Sequence, residues 1–576
     1  MTACFHPRYA GKTVLAVALL AASIVAAPVA SAQERLLPSE GTPTTLSDGT
    51  RPVVVVTLGS INKLMQDVNY ITGVVGQPQF GGMFSMMAGT FAQGMDMNQP
   101  IGVVVPMVNG TPQPIIVLPT SDIKPILKRL EAQTGPVDEL DDGTLVVTIN
   151  QNTLYIKQMG QTAVAAQARD ALKLIPADST KMFQGMGNSY DVAVRLNVQQ
   201  IPVEIRNMLI DQMRQGFTQA MEKQANQTQG DAEAAREVAE RSIEQIEQLI
   251  QEADELKLGL NIDPAGRNIG IDFSFTAVPG TQLAAVYGGQ HPIPSRFASV
   301  IRDDAAAYLH AASSISPEAV TQARESVEGS MSMLKGALSN EGNLTEDQIN
   351  EIDQYVGRLV EIISESLAEG KADMGGLLLA GENQFQFVMG TFVADGTKVA
   401  DLAKDLAKKV PDSPDAPRFT FDASEFEGVT MHLIEADVPA DKDEARQVFG
   451  EKIQVHIGTA PKAVYIAVGQ GSESLLKEFI QSGEAGAGAR EELGQFNLRL
   501  LPILQFAQSV DDNAGVAAVI NSLSGIQDGG ELSVVSLSID NGSESKVKIG
   551  EGLLRALGTA AILGQQQQQQ LGQPAF

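Results

Sequence analysis

The residues of this chain that could do chemistry form no recognised catalytic motif. A nucleophile elbow needs Gly-x-Ser-x-Gly to hold its serine on a strained turn, and the nearest segment, Gly187-Asn-Ser-Tyr-Asp191, lacks the second glycine. A phosphate-binding loop needs Gly-x4-Gly-Lys-Ser/Thr, whereas Gly370-Lys371 is followed by alanine. Gly469-Gln-Gly-Ser-Glu-Ser474 stands between a predicted strand and helix. We interpret it as a helix start capped by serine and not as a nucleotide-binding loop.

Candidate residues for metal binding or histidine catalysis are equally few. Beyond the N-terminal segment the histidines are His291, His310, His432 and His456, and no two of them have the spacing of a helical zinc pair. We interpret His310 as a structural histidine. His432 and His456 lie on predicted strands and could meet across a sheet, which leaves a two-histidine site as an alternative. We predict no metal site and no cofactor.

One segment has an unusual apolar composition. Gly81 to Met97 contains five methionines, two phenylalanines and four glycines. Methionine surfaces are adaptable and suit irregular apolar ligands, and thioethers also bind Cu(I). We favour a buried helix that covers the sheet, with an apolar ligand or partner surface and a copper site as alternatives. The candidate ligand-binding residues are Met83, Phe84, Met86, Met87, Phe91, Met95 and Met97.

The N-terminus predicts export. Arg8 and Lys12 precede an apolar run from Thr13 to Ala27, and Ala30-Ser31-Ala32 is a small-x-small cleavage pattern. Residues 1–32 therefore predict a bacterial secretory signal peptide, with a retained membrane anchor as the alternative. We predict a periplasmic, cell-envelope or extracellular protein that has no membrane span after cleavage. The only cysteine, Cys4, lies within the signal, which excludes disulfides and cysteine nucleophiles from the mature chain.

The charge balance restricts the partners. The 576 residues include 41 Lys and Arg against 69 Asp and Glu, and loss of the signal with Arg8 and Lys12 would leave a net charge of −30. Such a charge repels nucleic acid and anionic membranes, so we predict no nucleic-acid partner. We assign much of this charge to the outer faces of long helices, notably over Glu233–Glu255 and Glu346–Glu369, where it favours solubility.

An internal repeat organises the rest of the chain. Its unit is a strand, two helices, a β-hairpin and a helix, and we count four copies. They open at Val53, Val192, Ala305 and, less clearly, Phe496. In the second copy Ile269, Ile271, Phe273 and Phe275 alternate with polar residues, so one sheet face should be apolar and covered by helices.

The repeats group into two tandem, related halves. Copies one and three carry extra strands followed by a helix, predicted over about Thr162–Leu174 and Ser472–Ile480. The domain prediction is a signal peptide at 1–32, a flexible leader at 33–51, α+β halves at 52–290 and 291–564, and a disordered Gln-rich tail at 565–576. An internal period this long fits duplicated domains better than a short-repeat solenoid.

A resemblance follows from this layout. The export signal, the strand–helix-pair–hairpin repeats, and the motifs Leu154-Tyr-Ile-Lys and Val464-Tyr-Ile-Ala resemble large exported bacterial repeat-containing proteins of unknown function. The resemblance implies the same export and repeated layout, and that class supplies no catalytic residues.

These patterns together predict an α+β protein of two tandem related halves. Each half has an antiparallel sheet packed by long amphipathic helix pairs. The favoured function is a non-enzymatic, exported binding or envelope-associated protein that handles an apolar ligand or a protein partner. The alternatives are a secreted hydrolase without a linear motif and an acidic structural or adhesion protein.

Overall fold

The computed structural model describes residues 45–149, 152–183, 185–225, 232–340, 346–410, 413, 416–484 and 490–571. The predicted signal peptide lies outside them. The fold is α+β: twenty strands form one antiparallel sheet, and a separate two-stranded ribbon joins β3 to β4.

The strands are β1 (Val54–Leu58), β2 (Ile101–Val105), β3 (Met107–Val108), β4 (Thr111–Pro112), β5 (Ile115–Pro119), β6 (Asp138–Glu139), β7 (Leu145–Ile149), β8 (Asn152–Met159), β9 (Thr162–Ala166), β10 (Val192–Asn197), β11 (Ala253–Asp263), β12 (Asn268–Ala277), β13 (Ala307–Ser314), β14 (Lys371–Gly381), β15 (Gln384–Phe392), β16 (Arg418–Phe426), β17 (Val429–Asp437), β18 (Lys452–Ala460), β19 (Ala463–Gly469), β20 (Glu492–Arg499), β21 (Glu531–Ile539) and β22 (Gly542–Gly550).

The α-helices are α1 (Ile61–Val74), α2 (Pro78–Phe91), α3 (Lys124–Thr134), α4 (Val203–Ala225), α5 (Ala232–Glu252), α6 (Gln282–Gly288), α7 (Pro317–Asn340), α8 (Glu346–Ala368), α9 (Gly396–Ala407), α10 (Asp443–Phe449), α11 (Ser472–Glu484), α12 (Leu500–Val510), α13 (Ala514–Leu523) and α14 (Glu551–Leu571).

The strand order explains how distant segments meet. Across the sheet it is β6-β7-β8-β9-β5-β2-β1-β10-β11-β12-β22-β21-β20-β13-β14-β15-β19-β18-β17-β16. Each of β1, β10, β13 and β20 leads into two helices and then pairs with the strand that follows them. The centre of the order is the β12–β22 pair, which joins Asn268–Thr276 to Gly542–Gly550.

Asparagine residues shape three of the hairpin turns. Asn109, Asn383 and Asn541 have φ values of 52°, 58° and 54°. Asparagine tolerates this left-handed region better than most residues, and tight hairpins require it. The turns therefore set the register of the β3–β4, β14–β15 and β21–β22 hairpins.

Two faces of the sheet have different coverings. We call the face that carries Val54, Val56 and Leu58 the front face, and the other the back face. The segment between β9 and β10 covers the back face of β1, β2 and β5, where Phe183 and Met186 pack on Val55 and Val104. In the other part of the sheet, α11 covers the back face through the cluster of Phe297, Tyr465 and Phe479.

The structure differs from three local predictions. The segment Thr162–Ala166, predicted to begin a helix, is a fully buried strand, and only Arg169–Leu174 is helical, as a 3-10 helix. The alanine-rich composition favours a helix, but burial of the segment on both faces of the sheet outweighs this preference. Helix α14 continues through Leu571, into the predicted disordered tail, because glutamine is an acceptable helix former. At the end of the predicted flexible leader, Leu46 is buried in the back-face core.

Candidate functional site

The front face of five adjacent strands is apolar without interruption. In β2, β1 and β10 alternation places three side chains of each strand on this face; β11 and β12 supply three each to the same rows, and also place the buried Ile262 and Ile269 on this face. The strand registers align these side chains in three rows across the sheet. We call the set the apolar array. Its rows are Ile101, Leu58, Val192, Leu260 and Ile271; Val103, Val56, Val194, Leu258 and Phe273; and Val105, Val54, Leu196, Leu256 and Phe275.

The apolar array is only partly covered. Of its fifteen side chains Phe275 alone is buried, while Leu258 is 48% exposed, Phe273 43% and Leu58 38%. The middle row continues into β5, where Ile116 lies opposite Val103 and is 39% exposed. The sequence pattern predicts that helices cover this face, and for Leu258 and Phe273 of the middle row that prediction is wrong. Patches of contiguous exposed apolar surface are uncommon unless they bind something.

Helices border the array at both ends of β11 and β12. At one end Tyr70, Ile71 and Val74 of α1 pack with Leu260 and Ile271 of the first row. At the other end Leu249 of α5 and Tyr287 of α6 pack on the third row; the Phe275 and Tyr287 rings meet edge to face at 4.6 Å. Between these two borders Leu258 and Phe273 form the floor of a groove, and the rest of the middle row continues from it across β10, β1 and β2.

An ion cluster with two buried carboxylates and a partly exposed lysine holds α1 at its border. The Lys63 ammonium bridges Asp67, 3.2 Å away, and Asp191, and it also donates to the carbonyl of Ile262. Asp191 is fully buried and accepts from the backbone N–H of Ile262 at 2.5 Å. These bonds tie the start of α1 to the ends of β10 and β11. They therefore keep the helix at the strand ends, away from the middle row.

Burial in this cluster changes the protonation of Asp67. Loss of solvent, reinforced by the neighbouring Asp191 carboxylate, raises the pKa of Asp67 to about 6, and the Lys63 ammonium opposes the rise. The cluster is therefore sensitive to mildly acidic pH.

Most of the predicted methionine site lies on helix α2, and it is not core. Met86 is 72% exposed and Phe91 69%, while Met83 and Met87 are about half exposed and Phe84 is half-buried. The favoured interpretation, a buried helix over the sheet, is therefore wrong. Phe80, Met83, Met87 and Phe91 are spaced by three or four residues and share one side of the helix. Together with Met86 we call these side chains the α2 face.

The α2 face points away from the helix that supports it. Helix α2 packs on α1 through Gly81, where an added Cβ would overlap the side chains of Asn69 and Thr72. The Asn69 amide also donates to the Ser85 hydroxyl at 2.9 Å. Met95 and Met97 leave the helix: both are half-buried, and Met95 packs on the cluster beneath α3. The structure therefore separates these two from the other five predicted residues.

The two strand histidines do not form a joint site. His432 pairs with Ile457, whereas His456 pairs with Leu433, so the two rings lie on opposite faces. His432 Nδ1 accepts from the Asp422 N–H at 3.0 Å, and Nε2 lies 2.9 Å from the Thr459 hydroxyl. Burial lowers the pKa of His432. The ring is a neutral, hydrogen-bonded structural group.

The remaining histidine on a predicted strand, His310, is buried, and its Nε2 has no hydrogen-bond partner among the described residues. His310 is buried on the back face of β13, opposite Gln495 and Gly375. Burial lowers its pKa to about 4, so the ring is neutral at pH 7.

A polar cavity of about 200 Å³ lies on the back face of β13, β20, β21 and β22. Its walls include Tyr308, Asn497 and Arg499. Two of the charges there are paired with each other: Lys548 is 3.6 Å from Glu531, and Glu531 also accepts from the Asn497 amide at 2.8 Å. This cavity does not gather His432 and His456 with acids, the arrangement that would have favoured a hydrolase.

Within the described ranges, no helix is long and apolar enough to cross a membrane, and no cluster of three His, Cys, Asp or Glu side chains could hold a metal ion. The chain matches no family model, no curated protein and no solved structure. The apolar array and the α2 face are therefore the features on which a function can be argued.

Proposed function

We propose that this chain is an exported, non-enzymatic binding protein that takes up an apolar ligand on the apolar array. The observation that carries the proposal is the array itself, in which fourteen of fifteen aligned apolar side chains stay at least partly exposed. Exposing this surface to water costs free energy, at about 25 cal/mol per Å². A ligand that covers the middle row recovers this free energy, which gives the groove an affinity for apolar molecules.

The α2 face supports a second contact with an apolar partner. Pro78–Phe91 has no charged residue, and the five side chains of the face form one exposed stripe about 16 Å long. Such stripes suit the groove or the amphipathic helix of a protein partner.

The proposal includes the export and the duplication that the sequence predicts. The strand order supports a duplication, because two runs of ten strands are connected along the chain in the same way. These runs are β6-β7-β8-β9-β5-β2-β1-β10-β11-β12 and β16-β17-β18-β19-β15-β14-β13-β20-β21-β22. On this proposal the β12–β22 pair relates two copies of one ten-stranded unit. Long amphipathic helix pairs and a cleaved signal belong to the same proposal.

The test is uptake of an apolar dye by the purified mature chain, with Leu258→Gln as the variant. Losing one half-exposed leucine from the groove floor should weaken dye binding by about tenfold, or about 1.4 kcal/mol. Lys257→Gln is the matched control, because it makes the same residue on the same strand but on the back face. Absence of dye uptake by the wild type, together with no lipid in its solvent extract, would refute the proposal.

A further inference from the structure

The exposed apolar side chains of this protein are concentrated on α2. Of the fifteen large apolar side chains that are exposed in the described residues, five form the α2 face, and two of these, Met86 and Phe91, are the most exposed of all. The segment Val68–Met95, which contains α2, has no charged residue, although the whole chain carries a formal charge of −28. The α2 face is therefore an uncharged apolar surface on an acidic protein.

Polar groups beside the α2 face already have hydrogen-bond partners. The Thr90 hydroxyl donates to the carbonyl of Met86 at 2.9 Å. At the C-terminal end of α2 the Arg129 guanidinium donates to the carbonyl of Gln93 at 2.7 Å and to that of Phe91 at 3.4 Å. A polar group that is hydrogen-bonded within the protein loses less free energy when water is removed from it. Entry of the face into an apolar medium therefore leaves these groups satisfied.

Helices α1 and α14 support α2 from behind. At Gly81 helix α2 approaches α1 so closely that an added Cβ would overlap the side chain of Asn69. In the turn between α1 and α2, the backbone of Val75 lies so close to Gly558 of α14 that an added Cβ on Gly558 would overlap it. Rotating α2 to bury its apolar face would break the contact at Gly81, so the fold keeps the face directed outward.

We propose that the α2 face inserts at the acyl-chain boundary of a bilayer of zwitterionic lipids, and so docks the protein on a membrane surface. This inference rests on the second contact included in the proposed function, and it names the partner. Interfacial helices bury an apolar face in this way while they lie in the plane of the membrane. The soft thioethers of Met83, Met86 and Met87 suit such a fluid, irregular surface.

The size of the face favours a bilayer over a protein. At about 200 Å² for a fully exposed side chain, the five side chains expose about 600 Å² in total. A stable protein interface takes about 800 Å² from each partner, and a rigid partner covers only part of a convex helix. Two copies of the chain would also repel each other, because each is strongly acidic. A fluid bilayer surrounds a convex face completely, so the smaller area is enough.

The charge of the chain selects the lipid. Anionic headgroups repel a protein with a formal charge of −28, and Val68–Met95 contains no lysine or arginine to attract them. Zwitterionic headgroups carry no net charge and do not oppose the approach of the protein. Because the inserted side chains are uncharged, salt has little interaction to screen.

The first test compares bilayers. The mature chain is mixed with vesicles of dioleoylphosphatidylcholine, or with vesicles in which dioleoylphosphatidylglycerol replaces half of this lipid, and flotation on a density gradient measures the bound fraction. We expect about tenfold tighter partition into the zwitterionic vesicles at about 0.05 M NaCl. Partition into these vesicles should change less than twofold when the salt rises to about 0.5 M. Binding to neither vesicle, or only to the anionic one, would overturn the inference.

A matched pair of substitutions localises the contact. Met87→Glu places a charge on the α2 face and should weaken partition into the zwitterionic vesicles at least tenfold. Met208→Glu makes the same change on α4, at a methionine that is 50% exposed against 52% for Met87, and should bind as the wild type does. Equal losses in the two variants, or no loss in Met87→Glu, would overturn the assignment. If Met87→Glu does not fold, the wild-type comparison of bilayers still decides.

Dye uptake separates this inference from the proposed function. Normal dye uptake with no vesicle binding would overturn the docking alone. Vesicle binding with no dye uptake would overturn the ligand-binding role of the apolar array alone. Sedimentation of the protein in the absence of lipid tests the competing occupant: a dimer that Met87→Glu dissociates, with no vesicle binding, would assign the α2 face to a second copy of the chain and overturn the inference.

Discussion

At the residue scale, Glu551 shows how a single side chain joins segments far apart in sequence. It is buried at the start of α14, where its oxygens accept from Arg267 at 2.7 and 2.9 Å and from Arg555 at 2.8 Å. The Arg267 hydrogen bonds, with help from Arg555, lower the pKa of Glu551 to about 2 despite its burial. Its contribution to stability is therefore present above its unfolded pKa.

The first prediction follows from that pKa. Glu551→Gln keeps the shape but removes the charge, and should lower the free energy of unfolding at pH 7 by about 1–3 kcal/mol. Because the folded pKa is depressed, the wild type should lose this advantage as the pH falls from about 4.5 to about 2. Urea unfolding of both proteins across this range measures the effect, and parallel curves would contradict it.

Asp67 gives a prediction of the opposite sign. Its folded pKa of about 6 exceeds the unfolded value of 3.8, so its protonated form is favoured in the folded state. That contribution is present below pH 3.8 and is lost as the pH rises through 6. From pH 4 to pH 7, Asp67→Asn should therefore gain about 1–3 kcal/mol relative to the wild type, as urea unfolding at the two pH values would measure. A relative loss, or no change, would show that the Asp67–Asp191 pair is arranged differently.

At the element scale, helix α2 shows what a sequence can and cannot reveal. The composition of Gly81–Met97 identifies an apolar helix, and Pro78 at its first turn places its start. The residues of a helix do not show which distant segment packs on it. Within the described residues, no other element packs on the α2 face. The exposure of Met86 and Phe91 therefore became apparent only from the tertiary structure.

A charge on the α2 face tests its role as a contact. Met86→Glu should leave the free energy of unfolding within about 0.5 kcal/mol of the wild type, because Met86 is 72% exposed. It should also reduce self-association or partner capture that depends on this face. Gln79→Glu adds the same charge at an exposed polar position of the helix and serves as the control. A loss of several kcal/mol in Met86→Glu alone would mean that the face is core after all.

The strands of the array were more predictable than their cover. Alternation of apolar and polar residues identifies Ile269, Ile271, Phe273 and Phe275 as one face from sequence alone. The alignment of this face with Leu258 and Val194 depends on registers that are set by turns and pairings elsewhere in the chain. In the part of the chain that the structure describes, the exposure of the middle row depends on where the Lys63 cluster anchors α1. Neither constraint is visible in a local pattern.

At the scale of the whole molecule, one strand pair makes the sheet continuous. Nine residue pairs join β12 to β22, and the Arg267–Glu551 contact reinforces the join. No sequence pattern predicts this pairing, because the two strands are far apart in the chain and each also belongs to its own hairpin. The sequence predicts two tandem halves, and it does not predict the pairing of β12 with β22.

The join gives the prediction at this scale. Gly542 lies so close to the carbonyl of Phe275 that an added Cβ would overlap it. Gly542→Ala should therefore cost about 1–3 kcal/mol through displacement of β22 from β12. Gly216→Ala, in the exposed part of α4 where an added Cβ meets nothing, should instead stabilise the protein by about 0.5–1 kcal/mol. Thermal unfolding compares the two, and equal effects would contradict the close approach.

The most direct test of the apolar array is a fluorescence measurement with one introduced tryptophan, which is possible because the chain contains no tryptophan of its own. Phe273→Trp places a single fluorophore on the groove floor, and Tyr308→Trp places one on the back face beside the polar cavity. Both variants are titrated with a monoacylglycerol whose chain carries bromine, a contact quencher. The account predicts saturable quenching in Phe273→Trp and none in Tyr308→Trp. Equal quenching in both variants, or none in Phe273→Trp, would contradict it.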